Sequence, residues 1–120
     1  MAIYKNRIDL HMHTSSSFDG NYSAAQMTES AIAHELSTIA FTDHFDVDFY
    51  ERHNLGIRQQ TSYEDILSVI ENHSNEIRIL RGIEMGQPTY DIPLTEKSLE
   101  RYEYDFVIGS IHNPRNQPDY

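Results

Sequence analysis

Ile8-Asp9-Leu10-His11-Met12-His13-Thr14 is the stretch on which the reading of this chain turns. Apolar and polar residues alternate through it, which is the period of a strand with one buried face. Ile8, Leu10 and Met12 form one face, and Asp9, His11 and His13 the other, so the two imidazoles stand side by side. A His-x-His pair arises often by chance. Its meaning depends on whether the rest of the chain brings further metal-binding side chains to matching positions.

Outward from that strand the pattern alternates. Thr14 to Tyr22 is a polar loop with a turn signal at Asp19-Gly20-Asn21. Ser23 with Gln26 forms a capping box for a helix from about Ala24 to Leu36, with Met27, Ala31, Ile32 and Leu36 on its buried stripe. Thr38 to His44 reads as a second strand, followed by a long connection from Phe45 to Gln60. Ser62 is the expected cap of the next helix, where Tyr63, Ile66, Leu67 and Ile70 give the strongest helical stripe of the chain. Ile77 to Met85 is a third strand. A short helix over Glu96–Tyr102, capped by Thr95, leads to a fourth strand from Asp105 to His112, and Asn113 to Tyr120 reads as loop. Strands alternating with helices imply an α/β fold of parallel β/α units, which gather ligands at the carboxyl ends of their strands.

Composition narrows the function classes. The 120 residues suit one domain, and 19 Asp+Glu against 9 Lys+Arg give a formal net charge of -10. That balance disfavours nucleic acid as partner. Without cysteine there are no disulfides and no thiolate ligands, while the 7 histidines supply imidazole. The amino terminus holds no apolar run long enough for a signal peptide or a membrane span, so a cytoplasmic location with no membrane partner is expected.

Every expected strand ends in a side chain that can bind a metal. The first offers His11 and His13, the second His44, the third Glu84 and the fourth His112, with Asp19 in the first loop able to reach the same rim. Imidazole and carboxylate without sulfur suit Zn, Mn or Fe. More than four such groups suggests more than one ion, and neighbouring ions would offset the acidic background for an anionic substrate. Asp9 shares the face of the two histidines and either orients one of them or caps a backbone group. Asp43 alternates away from His44 and reads as structural. His34 and His73 fall on helices and read as solvent-facing. His53, Arg52 and Arg58 lie in the long connection, with the arginines as candidates to meet a phosphate.

Four motifs, taken in order, resemble those of the polymerase and histidinol phosphatase (PHP) superfamily: His11-Met12-His13-Thr14 with Ser17 and Asp19-Gly20, Thr42-Asp43-His44, Gly82-Ile83-Glu84, and Gly109-Ser110-Ile111-His112. The wording Phe41-Thr42-Asp43-His44-Phe45-Asp46 with Gly82-Ile83-Glu84-Met85-Gly86 is similar to its histidinol-phosphatase branch. The resemblance implies a distorted (β/α)7 TIM-like barrel with two or three divalent ions at the strand ends. It implies hydrolysis of L-histidinol phosphate, a small phosphorylated substrate of histidine biosynthesis, by a hydroxide held on the ions. By position, the implied metal ligands are His11, His13, Asp19, His44, Glu84 and His112, with Glu84 bridging.

The family's later ligands, a further His or Cys and an Asp-x-His, have no counterpart within Met1–Tyr120. Residues 1–120 are therefore expected to be the amino-terminal part of one PHP domain, and hydrolysis is expected to need the carboxy-terminal part as well. A second copy or another chain completing the barrel, and a remnant without activity, stay open beside that reading. Two alternatives for function also stay open: a PHP phosphoesterase acting on nucleotides or nucleic acid ends, and a non-catalytic metal-binding or interaction module.

Overall fold

The computed structural model describes residues 6–115. In chain order it contains β1 (Ile8–Met12), α1 (Ala24–Ala33), β2 (Thr38–Phe41), β3 (His44–Asp46), α2 (Leu55–His73), β4 (Arg78–Gly86), α3 (Ile92–Glu100) and β5 (Phe106–Ser110), with short 3-10 turns at Val47–Phe49 and Pro88–Tyr90. All strand pairs are parallel. β2 runs beside the first half of β4, from Thr38↔Arg78 to Phe41↔Arg81, and β3 beside its second half, from His44↔Glu84 to Asp46↔Gly86. β2 and β3 thus occupy one lane. β1 flanks that lane and β5 flanks β4 on the other side, giving four lanes of a parallel β/α half-barrel.

The expected strand over Thr38–His44 is therefore two strands with a break at Thr42-Asp43. The break has a polar cause: the Asp43 side chain turns inward to accept hydrogen bonds, described below. The expected long connection is also corrected. β3, the 3-10 turn and the first turn and a half of α2 fill it, because Leu55 and Gln59 extend the buried stripe backward from Ser62, Tyr63, Ile66 and Val69. Ser62 lies inside α2 rather than capping it, and Leu67, placed on the stripe from sequence, is exposed. In α3 the cap is Asp91, whose side chain accepts from Leu94 N–H at 3.1 Å, while Thr95 lies within the helix and bonds the Pro88 carbonyl. The Ser23–Gln26 capping box is present. The expected loop after Asn113 falls outside the described residues beyond position 115.

Helices cover one face of the sheet. Ile39 and Phe41 of β2 and Ile79 of β4 pack with Ala24 and Ala31 of α1 and Ile66 and Val69 of α2. A second cluster joins Phe45, Ile83 and Met85 to Leu55, with Leu94 and Leu99 of α3 against it. Phe41 and Ile66 are fully buried, each contributing about 1.5–3 kcal/mol of transfer free energy. The opposite strand face carries polar side chains toward the strand ends. Among the described residues β1 and β5 each pair on one side only, and Ile8, Val107 and Ile111 near these edges are exposed. No helix among these residues is long and apolar enough to cross a membrane.

The start of β5 is fastened to β4 by one pair. Arg81 donates from Nε and Nη2 to the two carboxylate oxygens of Asp105 at 3.0 and 2.8 Å, and from its backbone N–H to Asp105 Oδ2 at 2.9 Å. Asp105 N–H donates in return to the Arg81 carbonyl at 2.8 Å. Arg81 holds the Asp105 carboxyl down at about 2. A depressed carboxylate adds stability above its unfolded value near 3.9 and loses it as pH falls through the folded value. We expect Asp105→Asn to cost about 1 kcal/mol at pH 7, the pair being partly exposed and screened by water. The difference from the parent should shrink between pH 4 and pH 2. Urea unfolding of both proteins across that range checks it, and a gap that does not narrow would contradict the role given to the pair.

Candidate metal centre

The strand ends deliver their side chains to one place because the lanes are parallel and in register. Glu84 sits at its middle. The β4 segment Gly82-Ile83-Glu84-Met85-Gly86 puts Gly82 and Gly86 on the same face as Glu84. A Cβ at Gly82 would fall 2.5 Å from the Phe41 carbonyl oxygen and 2.8 Å from Thr42 Cγ2, and one at Gly86 would fall 2.1 Å from Asp46 Oδ1. The glycines are the room into which the break of the neighbouring lane fits.

Glu84 is 5% exposed, and each of its oxygens faces two imidazoles. Oε1 lies 3.7 Å from His11 Nε2 and 3.4 Å from His112 Nε2. Oε2 lies 3.2 Å from His13 Nε2 and 3.0 Å from His44 Nδ1. Asp19, reaching in from the first loop, spans the same two inner histidines, with Oδ1 3.0 Å from His13 Nδ1 and Oδ2 3.1 Å from His44 Nε2. All six residues singled out from the sequence are thus brought together: His11, His13, Asp19, His44, Glu84 and His112.

The donors form three overlapping triads, His11–His13–Glu84, His13–Asp19–His44 and His44–Asp46–His112, each with ligand atoms within 4.8 Å of one another. Three atoms at the heart of the cluster, His13 Nε2, His44 Nδ1 and Glu84 Oε2, are buried and make no hydrogen bond among the described residues. Buried polar atoms are rarely left so. Converging lone pairs on two imidazoles and a carboxylate fit a divalent cation, with nitrogen and oxygen ligands and no sulfur.

Electrostatics agree with that fit. Burial pulls the His44 imidazole down, but Asp46, Glu84 and Asp19 around it push it up to about 10. His13 is raised as well, burial being outweighed by Glu84 and Asp19. Burial works against ionised Glu84, yet His13 and His44 hold it well below the usual carboxylate range. Burial works against ionised Asp19 and Asp46 too, yet His44 and His13 lower the first, and His44 and His112 the second. Without a cation, protons supply the positive charge the carboxylates require, and they must leave before the same nitrogens can bind a metal.

The loop that carries Asp19 is latched by Asp43. This carboxylate is buried and accepts from Thr14 N–H (2.6 Å), Thr14 Oγ1 (2.7 Å), Ser17 Oγ (2.7 Å) and Ser62 Oγ (2.5 Å). Ser17 Oγ accepts in turn from the backbone N–H of His44 at 3.0 Å. The structural reading of Asp43 holds. Asp9 resolves to the backbone role, accepting from His11 N–H at 3.1 Å where the β1–β2 register shifts. His11 Nδ1 lies 2.9 Å from Thr42 Oγ1, which leaves its Nε2 toward Glu84.

Other expectations resolve individually. His34 is exposed at the end of α1, while His73 is half-buried and paired with Glu76 at 2.9 Å. Arg58 donates from Nη1 to the Ser16 carbonyl at 3.1 Å, and Arg52 lies over the Phe49 ring. His53 stacks on Phe49 at 4.9 Å. Sequence reasoning missed Asp46 as a member of the cluster. The signal was present, since residue i+2 from His44 shares its face on a strand, but assigning Phe45–Gln60 to a loop hid it.

Asp43→Ala would leave four buried donors without their acceptor. We expect it to lose about 3–5 kcal/mol of stability. Denaturant unfolding followed by circular dichroism measures this, and a loss under about 1 kcal/mol would show that the latch does not hold the loop.

Comparison with known proteins places these features in a lineage. Over 106 residues the chain is 26% identical to the histidinol-phosphatase of Lactococcus lactis subsp. lactis (strain IL1403), covering 88% of this chain and 39% of that enzyme. It is 35% identical over 123 aligned residues to the DNA polymerase/3'-5' exonuclease PolX of Bacillus subtilis (strain 168), covering 93% of this chain and 19% of that protein. The crystal structure of the Lactococcus lactis histidinol phosphate phosphatase, complexed with Zn, L-histidinol and phosphate, superposes with a TM-score of 0.80 at 27% identity. That superposition covers 94% of this chain and 43% of the other, so the chain spans less than half the length of each of these relatives. The PHP domain itself matches residues 9–120, which takes in all four strand-end motifs, and the chain therefore belongs to the PHP domain family.

Proposed function

We propose that this chain carries the metal-binding part of a phosphomonoester hydrolase whose substrate is L-histidinol phosphate. The observation that carries the reading is Glu84, buried between four imidazole nitrogens at 3.0 to 3.7 Å. The zinc, L-histidinol and phosphate of the similar Lactococcus lactis structure support the choice of metal and substrate. In this reading His11, His13, Asp19, His44, Glu84 and His112 hold two or three divalent ions, with Glu84 shared between them, and residues 1–120 are the amino-terminal part of one PHP domain.

When bound, divalent ions supply the positive charge that a phosphomonoester needs and make water acidic enough to act near neutral pH. The chain's own groups do the rest. Glu84 and Asp19 offset the charge of the ions. Thr42 steadies the His11 ring through Nδ1, and Asp43 holds the Ser17 hydroxyl that accepts from the His44 backbone N–H. His11 and Asp19, with 52% and 44% of their side chains exposed, form the open side of the cluster.

The 35% identity to PolX supports a second reading, a PHP phosphoesterase acting on nucleotides or nucleic acid ends. The net charge of -10 weighs against long nucleic acids, though not against nucleotides.

Phosphate release from L-histidinol phosphate, a nucleoside monophosphate and a 3'-phosphorylated DNA end separates these readings. We expect the highest kcat/KM on L-histidinol phosphate, and a drop of about a thousandfold, or about 4 kcal/mol, in Glu84→Gln. Preference for either nucleotide substrate would favour the second reading. Metal uptake with no hydrolysis of any of the three, both by this chain and by a version extended through the rest of the PHP domain, would leave a binding module.

A further inference from the structure

The two ring nitrogens of His112 meet two different carboxylates. Nε2 lies 3.4 Å from Glu84 Oε1, on the side of the candidate ions. Nδ1 lies 3.0 and 3.2 Å from the two oxygens of Asp46. Asp46 is 6% exposed, and its carboxylate rests over Gly86, where any Cβ would collide with it. Gln87 then ties both partners together. Fully buried and at φ 51°, it donates from Nε2 to Asp46 Oδ2 at 3.3 Å and to Asp48 Oδ1 at 2.7 Å, while its Oε1 accepts from the His112 backbone N–H at 2.5 Å. A non-glycine residue in the left-handed region is uncommon, and here that conformation puts the amide where both groups can use it.

Two roles for Asp46 compete. It forms a triad with His44 and His112, so it could take an ion directly. Against this, it engages the nitrogen of His112 opposite the one facing Glu84, its oxygens are occupied by His112 and Gln87, and His44 Nδ1 is 3.7 Å away. An imidazole that gives one N–H to a carboxylate has its tautomer and orientation fixed, and presents the lone pair of its other nitrogen. His11, held through Nδ1 by Thr42, repeats this arrangement with a hydroxyl.

We propose that Asp46 is a positioning residue: it accepts the Nδ1–H of His112 and thereby presents Nε2 of that ring to the Glu84 side of the centre, rather than binding an ion itself. The proposal rests on the reading of the cluster as a metal site. It assigns Gly86 and Gln87 to the same task, the first by leaving space and the second by bracing Asp46 against the His112 backbone.

The test uses the protein labelled with 15N-histidine and loaded with zinc. Long-range 1H–15N correlation spectra should show His112 protonated at Nδ1 and metallated at Nε2. Asp46→Ala should lower zinc affinity about 10–100-fold and shift the His112 nitrogens, without removing a whole equivalent of zinc. Asp46→Asn, which keeps an acceptor oxygen, should recover part of that loss. Gly86→Ala, which displaces the carboxylate from its seat, should reproduce the Asp46→Ala spectrum. Metal on Nδ1 of His112, loss of one full zinc equivalent in Asp46→Ala, or unchanged affinity and spectra in that variant would each overturn the proposal. A parent protein that takes up no zinc would instead overturn the metal reading on which it rests.

Discussion

Glu84 is a carboxylate held at 5% exposure, and burying such a charge without partners costs several kcal/mol. The four imidazoles around it meet that requirement, and each comes from the end of a different lane or from the first strand's His-x-His pair. The centre therefore depends on the strands being parallel and in register, and the register is visible in the pairing of His44 with Glu84 across the sheet. A shift of one residue in β4 would turn Glu84 to the helix-covered face and bring Ile83 or Met85 into the cluster. Fold and site are fixed by the same alternation.

What supports the cluster is mostly small or polar. Gly82 and Gly86 leave room beside Glu84, one for Thr42 and the other for Asp46. Asp43 breaks the middle lane and uses that break to gather the first loop and α2 through Thr14, Ser17 and Ser62. The apolar clusters on the other face hold the helices to the sheet. The interior of the half-barrel is left for ionised groups, at a cost that reciprocal pairing offsets.

Much of this was legible in the sequence because its signals are local. The period-2 pattern of Ile8–His13, the Ser23–Gln26 box and the spacing of metal-binding residues at strand ends each express one rule over a few residues. The missed features depend on contacts distant in sequence. Nothing near Asp43 says that its acceptors will be filled from residues 14, 17 and 62, so the broken strand read as continuous. Asp91 displaced Thr95 as cap because Pro93 suits the first turn of a helix, a signal that was in reach. Gln87 gave no sign, since its role comes from a left-handed backbone that its residue type does not favour.

The central claim is that the histidines of the strand ends and Glu84 form one metal centre. X-ray absorption at the zinc edge on the zinc-loaded protein tests it most directly. The account predicts nitrogen and oxygen ligands at about 2.0–2.1 Å, the outer-shell scattering of several imidazoles, and no sulfur. A protein that retains no zinc, or a zinc shell of oxygen atoms without imidazole scattering, would contradict it.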